Sequence, residues 1–192
     1  MSTTAGTYHL ANNPQAYQPV RTNNFRFLVQ GLDNLLRVGG NEDNKNDYIT
    51  NAQEVIEYSV ISFDAPHFKQ TPLEVRRGNS KVYYAGVPEF SAGQLKINDF
   101  AGANGKSVLE AWQNLSYDVY NDTVATSDKY KIDAIVLEYL PDDTLVRYWE
   151  LKGCWVSGLS EDGWDNNNSS IKTVTATIQY DRAIPHWPDE IQ

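Results

Sequence analysis

The sequence predicts a mainly β domain, a small β-barrel or sandwich with one flanking α-helix and long loops. The run from Ile171 to Arg182 alternates between apolar and polar residues, which is the period of a half-buried strand. A second run, Thr144 to Cys154, is rich in β-branched and aromatic residues. The chain has 192 residues, of which 41% are hydrophobic and 12% aromatic, enough for one core of normal density.

The first predicted strand extends from Asn24 to Gly31, because Phe25, Phe27 and Val29 alternate with more polar residues. Residues 1–23 before it are polar and contain two prolines, so we expect an N-terminal arm. The segment 39–53 after it is rich in Asn, Asp and Gly and is too long for an ordinary hairpin connection. It is predicted to be an insertion.

The segment from Val55 to Ala65 is predicted to be a strand with a bulge near Val60. Its apolar positions begin as Ile56, Tyr58 and Val60 and then switch to Ile61 and Phe63, which indicates a local shift of the alternation. A long loop, 65–80, contains two prolines and has no clear period. Two further strands are predicted, at Lys81–Gly86 and Gln94–Phe100.

One helix is predicted, from Ser107 to about Asn121. Ser107 and Glu110 have the spacing of a capping box, and Val108, Trp112, Leu115 and Val119 form an apolar stripe. After the helix, Lys131–Leu140 and Thr144–Cys154 are predicted to form a hairpin around Pro141 and Asp142. The whole domain is expected to occupy 24–183, followed by a C-terminal tail at 184–192.

Composition argues against several classes of protein. The net charge of −9 and the pI of about 4.7 disfavour a surface that grips nucleic acid phosphates, although DNA could slide past an acidic wall. Cys154 is the only cysteine, so an internal disulfide is impossible. No apolar run approaches the ~20 residues of a membrane span, and the N-terminus lacks a signal-peptide pattern. We therefore expect neither a membrane protein nor a secreted one.

No pattern of residues calls for a metal, a cofactor or a catalytic site. His9, His67 and His186 are scattered, and two Asp/Asn-rich segments, 43–54 and 162–168, lack the ligand pattern of a calcium loop. The carboxylates of Asp133, Glu138 and Glu150 could serve glycoside hydrolysis if they met in space, or could simply lie on the solvent face of a strand. No nucleophile elbow or phosphate loop is present. An enzyme is therefore the least favoured class.

The aromatic residues leave a binding module open. Five tryptophans and twelve tyrosines suit either a carbohydrate-binding β-sandwich, in which rings stack on sugars, or a protein interface. Trp112 and Trp149 occupy core-like positions, whereas Trp187 could fill a pocket on this chain or on a neighbour. A monomeric carbohydrate-binding module is the main alternative function.

Seven segments follow one another along the chain in a characteristic order: NFRFLV, SFDAP, NSKVYYAG, QLKINDF, EAWQNL, WELKGCW and TVTATIQYDRA. In their order and spacing they resemble the tail tube protein of T-even-type contractile bacteriophages. The resemblance covers about 24–183, and it depends on that order and spacing, since no single motif is strong. The insertion 39–53, the N-terminal arm and the C-terminal tail depart from the pattern. The resemblance implies a structural virion protein, related to the ring protein of type VI secretion, whose hexameric rings with a continuous inner sheet stack into a tube for genome ejection.

The resemblance also implies partners and surfaces. Expected partners are further copies, a sheath protein, a tape measure protein and baseplate or terminator proteins, with DNA in the channel but no cofactor; assembly is expected in the host cytoplasm. The loop 65–80 is implied to join rings, and the strands near Val55–Asp64 and Lys81–Gly86 to face the channel. Arg76 and Arg77 could be solvated or could meet a negative patch on another copy. Glu57 and Asp64 are candidate channel carboxylates if the bulge brings them to one face. The candidate stacking residues are Phe68, Lys69, Leu73, Val75, Arg76 and Arg77.

Overall fold

The computed structural model describes residues 19–39, 51–102, 104–167 and 169–187. Thirteen strands are present in the described residues: β1 (Phe25–Val29), β2 (Val60–Phe63), β3 (Phe68–Gln70), β4 (Leu73–Arg77), β5 (Ser80–Tyr84), β6 (Pro88–Phe90), β7 (Gly93–Asn98), β8 (Tyr117–Asp118), β9 (Thr123–Val124), β10 (Ile132–Tyr139), β11 (Leu145–Glu161), β12 (Thr173–Gln179) and β13 (Arg182–His186). The helices of the same residues are α1 (Leu32–Gly39), α2 (Ala52–Ser59), α3 (Gly105–Asn114) and the short α4 (Ser127–Tyr130).

Seven strands form one antiparallel sheet that is organised around the long strand β11. The first part of β11 pairs with β10 on one side and with β13 on the other, and β1 continues the sheet beyond β10. The last part of β11 pairs with β12, which leads to β7 and then to β2. We call the first group sheet A and the second group sheet B. Because β11 belongs to both, it joins two layers of strands without a connecting loop.

Gly153 lies where β11 passes from sheet A to sheet B. Its φ of +66° belongs to the left-handed region, and a Cβ at this position would collide with the carboxylate of Asp181. Glycine is therefore required here both for the backbone conformation and for the close approach of Asp181. The residue gives β11 the local freedom to change direction between the two groups of strands.

The core lies between the inner faces of the sheets and the helices. The alternation predicted for β12 is confirmed, because Val174, Ala176 and Ile178 are buried while the threonines between them are partly exposed. The alternation of β1 is confirmed in the same way by buried Phe27 and Val29. Each helix of eight residues or more contributes a buried stripe, and these stripes meet the strands in one cluster. The helical members of that cluster are Leu32, Leu36, Ala52, Ile56, Val108, Leu109 and Trp112.

The predicted strand Val55–Ala65 is wrong over its first half, which forms α2. Ala52, Ile56 and Ser59 are buried at helical spacing, and α2 packs against β1 and α3. Only Val60–Phe63 forms a strand, and the predicted bulge is confirmed by a register shift between Val60 and Ser62 in the pairing with β7. Tertiary packing has overridden the strand preference of this β-branched run.

The predicted helix is present, but its start and end differ from the prediction. The N-cap is Asn104, whose side-chain oxygen accepts a hydrogen bond from the backbone N–H of Ser107 at 2.9 Å. Ser107 is thus inside the helix, so the predicted capping box is wrong. The helix ends at Asn114, and Val119 lies beyond it and is exposed. The buried stripe consequently contains Val108 and Trp112 but not Val119.

The predicted hairpin around Pro141 is confirmed, because β10 and β11 are antiparallel and Leu140 donates its N–H to the carbonyl of Thr144. Residues 184–186, placed in the C-terminal tail by the sequence, pair with sheet A as part of β13. The predicted arm falls mostly outside the described residues, as do 40–50 of the predicted insertion. At the edges of that insertion, Gln53 contacts Gly31 and Asp33 through hydrogen bonds.

The fold class is confirmed as mainly β, with a sandwich-like open sheet that does not close into a barrel. The number of helices differs from the prediction, since α1 and α2 also flank the sheets. Three two-stranded ribbons, β3–β6, β4–β5 and β8–β9, lie outside the main sheet. Strands β3 and β4 lie in the segment 65–80 that was predicted to be a loop, whereas β5 overlaps the predicted strand Lys81–Gly86.

Candidate assembly surface

The hairpin of β4 and β5 is the principal candidate surface. Its strands pair over five residues and are joined by the two-residue turn Gly78–Asn79, in which Gly78 has a φ of +62°. Every residue of β4 is exposed, and in β5 only Val82 is partly buried. The prediction of a loop at 65–80 is therefore wrong, because half of this segment belongs to the strands β3 and β4.

The hairpin is fastened by its own side chains. Lys81 forms a salt bridge with Glu74 at 2.8 Å, and the guanidinium of Arg77 donates to the hydroxyl of Tyr84 at 3.1 Å. Ser80 also donates its hydroxyl to the carbonyl of Arg77 across the turn. Isolated two-stranded hairpins are marginal in water, so such cross-strand contacts help to hold the hairpin in one conformation.

The neck of the hairpin is attached to the core through aromatic rings. Phe68 in β3 pairs with Phe90 in β6, with ring centroids 5.7 Å apart, and Phe90 in turn contacts Tyr180 of the core. Gly86 passes so close to the carbonyl of Thr71 that a Cβ would overlap it. This close approach brings the two segments of the neck together and so fixes the base of the hairpin.

The six predicted stacking residues lie on the hairpin and its neck. Phe68 and Lys69 belong to β3 of the neck, and the hairpin strand β4 contains Leu73, Val75, Arg76 and Arg77. The side chain of Leu73 is 61% exposed and that of Val75 is 37% exposed. Lys69, Arg76 and Arg77 are exposed as well. Sequence reasoning missed the exposed aromatics Tyr83 and Tyr84 of β5. The Gly-Asn pair between two strand-like runs is a hairpin signal that could have found them.

A second surface is the outer face of sheet B, which is lined by hydroxyl and amide groups. Ser62, Lys96, Thr175 and Ser160 are aligned across its four strands. In the neighbouring row, Gln94 donates its side-chain amide to the hydroxyl of Thr177 at 3.1 Å. Lys96 lies between Asp64 at one end of the face and Asp162 at the other. The face is therefore wet, nearly neutral and unsuited to burial in a core.

The structure does not bring together the two candidate channel carboxylates. Asp64 follows β2 and its carboxylate accepts a hydrogen bond from the N–H of Gln94, which places it beside the outer face of sheet B. Glu57 lies on α2, 4.0 Å from the guanidinium of Arg26 in β1. The strand alternation that was expected to relate the two residues does not exist, because Glu57 is helical. The two strands that were expected to face the channel also belong to different units, because β2 is part of sheet B whereas β5 is part of the separate hairpin.

The carboxylates considered for glycoside hydrolysis are held in ion pairs. Glu138 binds Arg147, while Asp133 and Glu150 both bind the ammonium of Lys152. The hydrogen bond from Lys152 lowers the pKa of Glu150. Burial acts to raise the pKa of Asp133, but the hydrogen bonds from Lys152 and from the N–H of Gly153 outweigh it and the pKa is lowered. The lowered pKa values keep Asp133 and Glu150 charged at neutral pH, whereas a general acid must be protonated there.

No cluster of His, Cys, Asp and Glu suited to a metal ion is present among the residues that the structure describes. His67 contacts the carbonyl of Ala65, and His186 stacks on Tyr148 with centroids 4.6 Å apart. The carboxylate of Asp162 accepts from Thr173, so it serves the loop itself. His9 and the first candidate calcium segment, except its final residues 51–54, lie outside the described ranges. Burial raises the pKa of the Cys154 thiol to about 12, so this thiol is unreactive in the folded protein.

Trp187 is exposed and lies 5.7 Å from the guanidinium of Arg147, measured to the ring centroid. The structure thus places it over a cation at the end of β13. Across the described ranges, no helix has both the length and the apolar character needed to cross a membrane.

Comparison with known proteins gives matches only at the level of structure. No family model matches the chain, and no curated protein matches its sequence. Among solved structures, a chain of the anti-feeding prophage cap (AFP tube terminating cap) superposes with a TM-score of 0.62 at 16% identity, covering 88% of this chain and 92% of that one. A chain of the sheath/tube terminator of an extracellular contractile injection system, PVC, in its extended state gives 0.61 at 17% identity, with 88% and 96% covered.

A chain of the PVC sheath–tube complex in its extended state covers the most sequence of these three. It superposes with a TM-score of 0.57 at 16% identity, over 97% of this chain and 100% of that chain. At these identities the likeness establishes the fold. The predicted tail-tube-like fold is therefore confirmed: this chain has the fold of components of contractile injection systems.

Proposed function

We propose that this chain is a structural subunit that closes into hexameric rings and stacks into the tube of a contractile tail. The observation that carries the proposal is the β4–β5 hairpin, an ordered unit with exposed leucine, valine and tyrosine side chains. Exposed apolar surface of this kind is characteristic of a docking element. The fold shared with tube and cap components of contractile injection systems supports a structural role and not an enzymatic one.

The open edges of the sheet support lateral closure of a ring. Within the described part of the chain, β2 pairs only with β7 and β13 pairs only with β11. Unprotected strand edges favour pairing with another chain, and closure of a ring satisfies every edge. In the proposed ring, neighbouring copies therefore meet along edge strands, and the sheets become continuous around the axis.

We assign the channel wall to the outer face of sheet B. Its hydroxyl and amide groups bind water and offer no apolar surface to adhere to a passing polymer. Asp64 contributes to this wall, whereas Glu57, paired with Arg26 on α2, does not. The wall expected from the sequence was negative, with Glu57 and Asp64 as its candidate carboxylates. The proposed wall is only weakly charged, so DNA would pass without specific binding.

The tube is proposed to act as the conduit for genome ejection in a virion tail that is assembled in the host cytoplasm. Its partners would be a sheath protein, a tape measure protein and baseplate or terminator proteins. The structural likenesses come from a tube cap, a sheath–tube complex and a tube terminator, which is consistent with such neighbours.

Negative-stain microscopy of the purified chain tests the proposal. We expect rings or tubes from the wild type, and folded but unpolymerised subunits from the double variant Arg76→Glu, Arg77→Glu, because like charges would then face the acidic surface of the next copy. The matched control is Arg76→Lys, Arg77→Lys, which keeps both charges and should polymerise. Monodisperse monomers of the wild type at high concentration would contradict the proposal, more so if they bound glycans.

A further inference from the structure

The β8–β9 ribbon is a second exposed unit outside the main sheet, and the proposed tube function assigns it no role. Tyr117, Val119, Tyr120 and Val124 are all exposed, and Tyr120, in the turn between β8 and β9, is 99% exposed. A single exposed apolar side chain would need no explanation, but four within the eight residues 117–124 are unusual for a monomer surface. The ribbon therefore has the composition of a contact site.

The ribbon is held rigid, so its exposed side chains are fixed in place. The carboxylate of Asp118 accepts from the N–H of Tyr120 at 2.9 Å and from the side-chain amide of Asn121 at 2.6 Å. The hydroxyl of Tyr117 donates to Asp122 at 2.7 Å. At the base, Ala125 donates its N–H to the carbonyl of Ser116. A preorganised contact site loses little conformational entropy when it binds.

The charge of the ribbon is complementary to that of the β4–β5 hairpin. No lysine or arginine occurs between Lys106 and Lys129, and the segment between them includes Asp118, Asp122 and Asp128. The hairpin and its neck instead carry four basic residues and two acidic residues: Lys69, Arg76, Arg77 and Lys81 against Glu74 and Glu89. In a chain with a net charge of −9, this hairpin is a basic exception.

We propose that the β8–β9 ribbon of one copy is the docking site for the β4–β5 hairpin of the next copy. Tyr120 and Val119 would pack against the apolar side chains of the hairpin, such as Leu73, while the aspartates meet its arginines. The inference rests on the proposed tube function and adds to it the acceptor surface. Because the two surfaces differ, the contact is head-to-tail and can repeat without limit, as a tube requires.

Another strongly exposed aromatic, Trp164, serves as a comparison. Its side chain is 86% exposed, but the ammonium of Lys172 already lies 4.9 Å from its ring centroid. A basic hairpin would meet a cation there. Trp164 is therefore the matched control for a probe placed at Tyr120.

Photo-crosslinking of assembled full-length chains tests the docking site. Tyr120 is replaced by p-benzoylphenylalanine, the tubes are irradiated, and the crosslinked peptides are identified by mass spectrometry. We expect a link between copies to the segment 69–84, and no such link from the same probe at Trp164. A link from position 120 to any other segment, or no link between copies, would overturn the proposal while wild-type tubes left the tube function intact.

Charge reversal gives an independent test with a rescue. The variant Val119→Lys, Asp122→Asn, Thr123→Lys changes the ribbon from two negative charges to a net positive one, and asparagine tolerates the φ of +52° found at Asp122. We expect this variant, like Arg76→Glu, Arg77→Glu, to lose polymerisation, and the fivefold combination to regain it because opposite charges face each other again. Normal tubes from the ribbon variant, or no rescue in a folded fivefold variant, would contradict the docking site. Failure of the wild type to polymerise would instead contradict the tube function.

Discussion

Trp112 packs helix α3 into the core and also links it to the segment just before β10. Its side chain is 1% exposed, and its indole N–H donates to the carbonyl of Tyr130 at 3.0 Å. The residue therefore both fills the core and satisfies a backbone carbonyl just before β10. Its place on the buried stripe of a helix could be predicted from the spacing to Val108, whereas its partner, 18 residues away, could not.

We expect Trp112→Ala to lower the free energy of unfolding by about 3–5 kcal/mol, because a large buried ring leaves a cavity. Trp112→Phe keeps most of the ring volume and loses the hydrogen bond, so it should lower the same free energy by a smaller amount. Urea unfolding followed by circular dichroism measures both. An alanine variant with an unchanged midpoint would show that the ring adds nothing to the core.

Lys152 is a second residue with more than one partner, since it holds Asp133 of β10 and Glu150 of β11. The pKa of each carboxyl is lowered in the folded protein. A lowered pKa means that the folded state binds fewer protons than the unfolded state near pH 4. The stabilisation is therefore fully present above about pH 5 and is lost as the pH falls through the folded pKa values.

We expect the stability of Lys152→Gln to depend less on acid than that of the wild type over this pH range. The measurement is the free energy of unfolding in urea from pH 6 to pH 3. Lys69→Gln, which changes an exposed lysine of β3 that forms no salt bridge with the described residues, is the control and should keep the wild-type profile. Identical profiles for wild type and Lys152→Gln would show that the ion pairs do not contribute to acid sensitivity.

At the scale of elements, the N-cap of helix α3 lies three residues before the position predicted from the sequence. The sequence predicted the cap at Ser107, although Asn104, three residues earlier, is also a residue type that caps helices. In the structure Asn104 is the cap and the next residue, Gly105, is buried beside Ile97 of β7, whose side chain would have to move to admit a Cβ. The cap at Asn104 thus places a glycine at this close contact with β7.

We expect Asn104→Ala to lower the free energy of unfolding by about 1 kcal/mol, through loss of the hydrogen bond to the N–H of Ser107. Ser107→Ala should have a smaller effect, under about 0.5 kcal/mol, because its hydroxyl does not cap the helix. Thermal or urea unfolding of the two variants compares them directly. A larger loss of stability in Ser107→Ala than in Asn104→Ala would show that Ser107, and not Asn104, caps the helix.

The elements that could be predicted are those whose own residues determine their burial. Strand β12 alternates strictly and is buried on one face, so its period is sufficient. Helix α2 could not be found this way, since Val55, Ile56 and Val60 suit a strand, and contacts with β1 and α3 decide otherwise. The candidate stacking residues stay a prediction, and the sequence missed that Leu73, Val75, Arg76 and Arg77 belong to a paired hairpin. The channel role of Glu57 and Asp64 also stays a prediction, but the strand that was expected to relate them is helical at Glu57.

At the scale of the molecule, the hairpin is separate from the sheet that stabilises the subunit. The strands β4 and β5 pair only with each other among the described strands, and the main sheet is complete without them. Folding of the subunit and assembly of the polymer therefore depend on different parts of the chain. A change confined to the hairpin should affect assembly and leave folding largely unaffected.

A hairpin deletion tests this separation. Residues 74–83 are replaced by Asn-Gly, a two-residue turn that can join Leu73 to Tyr84, which are already paired. We expect the free energy of unfolding to change by less than about 1 kcal/mol, as for other surface changes, because the hairpin contributes little to the core. The variant alone should form no tubes.

Mixed with wild type, the deletion variant should shorten the tubes. It keeps the β8–β9 ribbon and so can accept the hairpin of a wild-type copy, but it offers no hairpin to the next one. Each incorporated copy thus weakens or ends further growth, which is the behaviour of a head-to-tail polymer and not of a symmetric pair. Mean tube length in micrographs should fall as the proportion of the variant rises, whereas an equal proportion of Trp164→Ala should leave it unchanged. A length independent of the variant's proportion would mean that tubes grow without the hairpin.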